Sequence, residues 1–236
     1  MKIIAHRSGP SVYPEQTITS AKFARYCGAD MVEIDVRFTK DKKIAICHDE
    51  NALRVFGVDK KVSDMTSEEF LSLRHKTNKG FCSHLLEDFL ECEVAPLLIH
   101  IKENQLILDL LELLKKYNYL DKIVLGVLDT SIIKTIKNFD KNVKILAFMP
   151  SPDHIEEFAK SGVDYIRLWE HWVNDQTVSK VKSFPVELWI MTNTVSNGIN
   201  NVGETTPENL EKLLDIGVQG ILINDIGILQ EVLERR

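Results

Sequence analysis

The sequence predicts an α/β protein built as a closed (β/α)8 barrel with a small helical insertion near residues 50–95. Three observations carry this expectation. Eight short runs rich in Ile, Val and Leu alternate with longer amphipathic segments from one end of the chain to the other. Such alternation implies parallel strands joined by right-handed crossovers, and eight units favour closure over an open doubly wound sheet. No glycine-rich phosphate loop follows any of the runs, which weakens a nucleotide-binding open sheet further. The length of 236 residues suits one barrel domain spanning 1–236.

Taken in order, the strand candidates are KIIAH (2–6), MVEIDV (31–36), LLIHIK (97–102), KIVLGV (122–127), KILAFM (144–149), YIRLW (165–169), ELWIM (187–191) and GILIN (220–224). Helices are expected near 15–26, 103–117, 129–138, 152–160, 174–182, 207–216 and 226–235. The run KIAICH (43–48) follows its predecessor too closely for a parallel crossover. It is therefore expected to fold back as an antiparallel hairpin around TKDK, which brings His48 near Glu33. Segments 64–76 and 83–93 look helical, the first with Thr66 as N-cap and Glu69 completing a capping box. They form the insertion over the barrel mouth.

Composition narrows the function classes. A formal net charge of −6 argues against a nucleic-acid or anionic-membrane binder, while leaving room for a locally positive site. The apolar run at the N-terminus is too short for a signal peptide core, and no later run reaches spanning length. Cys27, Cys47, Cys82 and Cys92 lack metal-finger spacing and read as reduced thiols. The expectation is a cytoplasmic protein without stable membrane insertion, acting on a small molecule; its oligomeric state is open.

Alternation also decides which polar side chains share a face. Glu33 and Asp35 point the same way, opposite Val32, Ile34 and Val36, and desolvation keeps them off the helix-facing side. Two like charges on one strand call for a cation: a divalent metal, or a salt bridge to Arg37 or Lys102. His6 and Arg7 end the first strand, at the rim where barrel enzymes place functional groups; a structural histidine and a surface ion pair are the plain alternatives. Glu15 precedes a helix, as either a site residue or a partner of the helix dipole. His100 and Lys102 share the inward face of their strand, where a hydrogen-bonded core histidine is the alternative. Four segments thus aim polar groups at one place.

These residues resemble the glycerophosphodiester phosphodiesterase family, phospholipase-C-like phosphodiesterases with a TIM-barrel fold. The family's H-R-G reads here as His6-Arg7-Ser8, its P-E-N-T as Pro14-Glu15-Gln16-Thr17, and its E-x-D as Glu33 and Asp35. Its H-D reads as His48-Asp49, with Leu53 and Arg54 downstream, and its E-x-K as His100 and Lys102. The C-terminal W-T-x-N falls on Met191 to Thr194, and the closing glycine-rich motif on Gly217 to Asp225. The resemblance implies metal-dependent hydrolysis of glycerophosphodiesters to glycerol 3-phosphate and an alcohol. It makes Glu33 and Asp35 metal ligands for Mg²⁺ or Ca²⁺, and His6 and His48 the acid–base pair. Arg7 and Lys102 would hold the phosphate.

The departures bear on the chemistry. His100 stands where the family has a third carboxylate ligand, which shifts preference towards Mn²⁺ or Zn²⁺. Met191 replaces an aromatic, and Val127 stands for a serine. Arg167 and Trp169 share a strand face, with Glu170 and His171 at its end, and are expected to rebuild the pocket wall; a core Trp and a surface Arg are the alternative. Two competing functions follow: a phosphodiester-binding barrel impaired in catalysis by these changes, or a barrel that cyclises a different phosphodiester.

Overall fold

The computed structural model describes residues 1–196 and 199–236. Eight parallel strands form the barrel: β1 (Lys2–Ala5), β2 (Met31–Phe38), β4 (Leu97–Ile101), β5 (Ile123–Val127), β6 (Lys144–Ala147), β7 (Tyr165–Trp169), β8 (Glu187–Met191) and β11 (Gly220–Ile223). Neighbours pair in sequence order, and β1 pairs with both β11 and β2, so the sheet closes on itself. β3 (Ile44–Ile46) pairs antiparallel with β2, Val36 opposite Ile46, which is the expected hairpin. A second hairpin, β9 (Asn193–Ser196) with β10 (Ile199–Val202), follows β8 in a stretch where the sequence predicts no strand.

Helices α1 (Ile18–Tyr26), α5 (Ile107–Lys116), α6 (Ile133–Phe139), α7 (Ile155–Lys160), α8 (Asp175–Lys182), α9 (Pro207–Ile216) and α10 (Ile226–Glu234) follow the strands. The insertion holds shorter helices than its sequence implies: α2 (Leu53–Phe56), α3 (Ser67–Leu71) and α4 (Leu86–Glu91). The capping box predicted at Thr66 and Glu69 starts α3, but the chain leaves the helix after one turn and a half, and Phe70 anchors it in a small satellite core with Phe56, Met65 and Leu85. Among the described residues, no helix is long and apolar enough to cross a membrane.

The alternation of side chains sorts two cores. Val32, Ile34, Val36, Leu97, Ile99, Ile101, Ile166 and Leu168 belong to the layer between strands and helices. The barrel interior is filled by one residue per strand: Ile4, Met31, Leu98, Val124, Leu146, Tyr165, Trp189 and Leu222. Trp189 is the largest of these and fully buried; Gly220 makes room for it, since a Cβ there would sit 2.7 Å from the indole. Two residues further along each strand, towards its carboxyl end, the same inward face yields His6, Glu33, His100, Gly126, Phe148, Arg167, Met191 and Asn224. That second ring is the floor of the candidate site.

Candidate active site

Glu33 and Asp35 are each 1% exposed, on the inward face of β2. The chain after β1 turns sharply, with positive φ at Arg7 and Ser8, and this directs the Arg7 backbone N–H into Glu33 Oε2 at 2.7 Å. Ser20, in α1, holds the turn by donating its hydroxyl to the carbonyls of Ser8 and Gly9. Gln16, also at positive φ, donates its amide to Asp35 Oδ2 at 2.6 Å and accepts from the Asp35 backbone N–H. Gln16 was not singled out from sequence; its place in the P-E-N-T-like stretch was the available signal.

His100 and Lys102 meet these acids as their alternation required. Lys102 Nζ lies 2.9 Å from Asp35 Oδ1, and His100 Nδ1 lies 3.0 Å from the same oxygen and 3.9 Å from Glu33 Oε1. Both the salt-bridge and the metal readings therefore find their residues, although Arg37 pairs instead with Glu103 at 3.4 Å and donates to the His48 carbonyl. Lys102 also stands 3.1 Å from His100 Nδ1. The Lys102 ammonium can only donate and the Asp35 carboxylate can only accept, so Nδ1 stands between opposed partners, while the Nε2 of the neutral imidazole is buried without a partner. The neutral state agrees with burial, which together with Lys102 pulls His100 down to about 3.

The ligand atoms of Glu33, Asp35 and His100 lie within 4.8 Å of one another. Asp35 Oδ1 is buried, with the ion-pair contacts to Lys102 and His100 as its polar neighbours. Burial first, and then the Asp35 charge, push Glu33 up to about 8, whereas Lys102 and His100 outweigh the burial of Asp35 and hold it low. A carboxylate oxygen met only by ion-pair contacts, beside a second carboxyl held above its ordinary range and an imidazole, is a donor set that a divalent ion fits.

The two imidazoles are oriented by different partners. His6 is 5% exposed, and its Nδ1 lies 2.8 Å from Asn224 Oδ1. The Asn224 amide donates to the Val202 carbonyl, which fixes its oxygen towards His6. His6 Nδ1 therefore carries the proton and Nε2 offers a lone pair. Burial, and then Arg7, lower His6 to about 4. His48 is half-exposed at the end of the hairpin, its Nδ1 2.7 Å from Asp49 Oδ1. Arg54 ties Asp49 to Glu15, contacting both carboxylates, so Glu15 serves an ion-pair network with Arg7 and Arg54. Burial also lowers His48, and the charge of His48 reaches His6.

On the far side of the ring the structure overturns the expectation for Val127 and removes the alternative of a surface Arg167. Val127 is fully buried in the helix-facing core and cannot line the pocket. The inward residue of β5 is Gly126, and Phe148 fills its space: the ring stacks on His100 at 4.0 Å with an interplanar angle of 7°. Arg167 is no surface residue; it is 4% exposed, with its guanidinium over Phe148, Trp169 and Trp172. Trp169 is half-buried and packs against the inner core, and Met191 is buried within it beside β7. Glu170 holds the β9 turn and α9 through Asn193, Thr205 and Asn209. A cavity of about 760 Å³ lies beside that anchor, with Glu170, His171, Asn193 and Lys212 in its lining and neither Glu33 nor Asp35.

Residues 6–122 match the model of the glycerophosphoryl diester phosphodiesterase family. A glycerophosphodiester phosphodiesterase of Bacillus altitudinis is 35% identical over 102 residues, which are 43% of this chain and 39% of the relative, so that match spans well under half of the relative's length. One from Caldanaerobacter subterraneus is 26% identical over 243 residues, covering 94% of this chain and 93% of the relative. Among solved structures, an Oleispira antarctica phosphodiesterase in complex with the product sn-glycerol-3-phosphate superposes with a TM-score of 0.85 at 18% identity, covering 99% of this chain and 97% of that one.

Proposed function

Because this chain belongs to the glycerophosphoryl diester phosphodiesterase family, we propose that it hydrolyses glycerophosphodiesters to glycerol 3-phosphate and an alcohol. One observation carries the reading: His6, with its Nε2 lone pair free, and His48, backed by Asp49, stand beside a buried Glu33–Asp35–His100 cluster and the cations Arg7 and Lys102. The names of the relatives and the product held by the Oleispira neighbour point to the same chemistry.

His6 is the base. Kept neutral by burial, its Nε2 takes the proton of the attacking water as the new P–O bond forms. His48 is the acid: Asp49 stabilises its imidazolium, and its proton passes to the departing alkoxide as the P–O bond to the alcohol breaks. Arg7, whose buried Nε has no partner, and Lys102 receive the phosphoryl oxygens. Glu15 positions Arg7, and Trp169, Arg167 and Met191 line the wall for the alcohol. Glu33, Asp35 and His100 would hold a divalent ion, Mn²⁺ or Zn²⁺ in preference to Mg²⁺ or Ca²⁺ given the imidazole; when bound it neutralises charge on the phosphoryl group.

The test is release of glycerol 3-phosphate from glycerophosphocholine and glycerophosphoethanolamine with each of the four metals, followed by phosphorus NMR. Turnover is expected, with kcat lowered roughly 10²–10⁴-fold by His6→Asn or His48→Asn. Folded protein that turns over neither diester with any of the metals overturns the reading.

A further inference from the structure

Arg167 poses a question that hydrolysis of the phosphodiester leaves unanswered. Its side chain is 4% exposed, yet Nε and Nη1 are buried without hydrogen-bond partners, and no carboxylate pairs with it among the described residues. The two nearest acids in sequence are committed elsewhere: Asp164 to Lys137, Lys144 and the Ile145 N–H, and Glu170 to Asn193, Thr205 and Asn209. Aromatic rings take up the guanidinium instead, with Cζ 4.3 Å from the Trp169 ring centroid, 5.0 Å from Phe148 and 5.7 Å from Trp172. Rings over a guanidinium satisfy its π faces and its charge in part, but they leave the in-plane N–H edge unused. That edge is shaped for a planar or tetrahedral oxyanion.

Its position separates it from the reacting phosphorus. In the closed eight-strand barrel, β7 lies four strands from β2 in either direction, so Arg167 faces Glu33 and Asp35 across the mouth. Phe148 stands between: one of its faces is covered by His100, and Arg167 meets what remains. Arg7 and Lys102 already serve the phosphoryl side.

We propose that Arg167 is a specificity residue that binds a second anionic group, a carboxylate, in the alcohol part of the substrate, so that the preferred diester has an acidic head group. The proposal rests on the phosphodiesterase reading. Phe148, Trp169 and Trp172 hold the guanidinium between them, and the desolvated setting would strengthen a pair formed with an acid.

Glycerophosphoserine and glycerophosphoethanolamine differ only by the carboxylate and make the matched probes. The wild-type protein should favour the serine diester by about tenfold or more in kcat/KM, and Arg167→Met should erase that ratio. Arg167→Lys, which keeps charge without the planar fork, should restore only part of it. Affinities for both diesters in EDTA, by calorimetry, should show the same ratio and the same loss without any turnover. That arm separates the two ideas: a binding preference without hydrolysis counts against the phosphodiesterase reading alone. Arg167→Met should also raise Tm, because it removes a buried unpaired charge. Equal loss on both diesters, no preference in the wild type, or a lowered Tm with the preference intact would overturn the proposal.

Discussion

Asn224 decides what His6 can do. The imidazole has two nitrogens, and only the bond from Nδ1 to the Asn224 oxygen leaves Nε2 as the one with a free pair. The amide is itself fixed by the Val202 carbonyl, at the foot of the β9–β10 hairpin. Neither contact was legible in the sequence: His6 and Asn224 are 218 residues apart, and only closure of the barrel between β1 and β11 joins them. Asn224→Ala should lower kcat about 10–100-fold with little change in KM, as loss of a partner that orients a functional imidazole does. In the unaltered protein the acid limb of kcat/KM should lie well below 6.5. A base works deprotonated, and burial lowers His6 to about 4, so its lone pair persists until the pH falls that far. A limb near 6.5 would take His6 out of that role.

At the scale of elements, alternation made most of the barrel readable. Glu33 and Asp35 had to share a face because they are two apart, and the outward valines and isoleucine had to meet the helices. The same rule placed His100 with Lys102 and Arg167 with Trp169. It failed at the edges between strands, where one residue's shape depends on another's absence. Phe148 lies just past β6 and covers His100 only because β5 presents Gly126, where a Cβ would come within 2.4 Å of the phenyl ring and 3.4 Å of the His100 backbone. Nothing in any single strand announces a contact spanning three of them. Gly126→Ala should therefore destabilise the fold by about 1–3 kcal/mol through overpacking, read as a lower urea midpoint. Combined with Phe148→Leu, the penalty should shrink, because the ring is what the new methyl meets. Strict additivity of the two substitutions would show that the stack is not the constraint.

Across the whole molecule the rim ring is divided by charge and polarity. One arc carries His6, Glu33, Asp35 and His100, and the opposite arc carries Phe148, Arg167 and Met191, with the hydrophobic barrel interior beneath both. The acids are sunk in that arrangement beyond the reach of water, and the fold bears a cost that varies with pH. Glu33 is raised to about 8, chiefly by burial and then by Asp35, so between its ordinary value and about 8 the folded protein binds a proton that the unfolded chain does not. Stability must then fall as pH rises through that window, with the full cost present above it. A divalent ion held by Glu33, Asp35 and His100 reverses this, because it requires the ionised carboxylate. Thermal stabilisation by Mn²⁺ should therefore grow between pH 5 and 8. Calorimetry in two buffers of different ionisation enthalpy should find about one proton released per ion near pH 6.5, and close to none at pH 9. If the count is the same at both pH values, Glu33 does not gain its charge from the ion, and the cluster is a salt bridge between Asp35 and Lys102 with a neutral glutamic acid beside it.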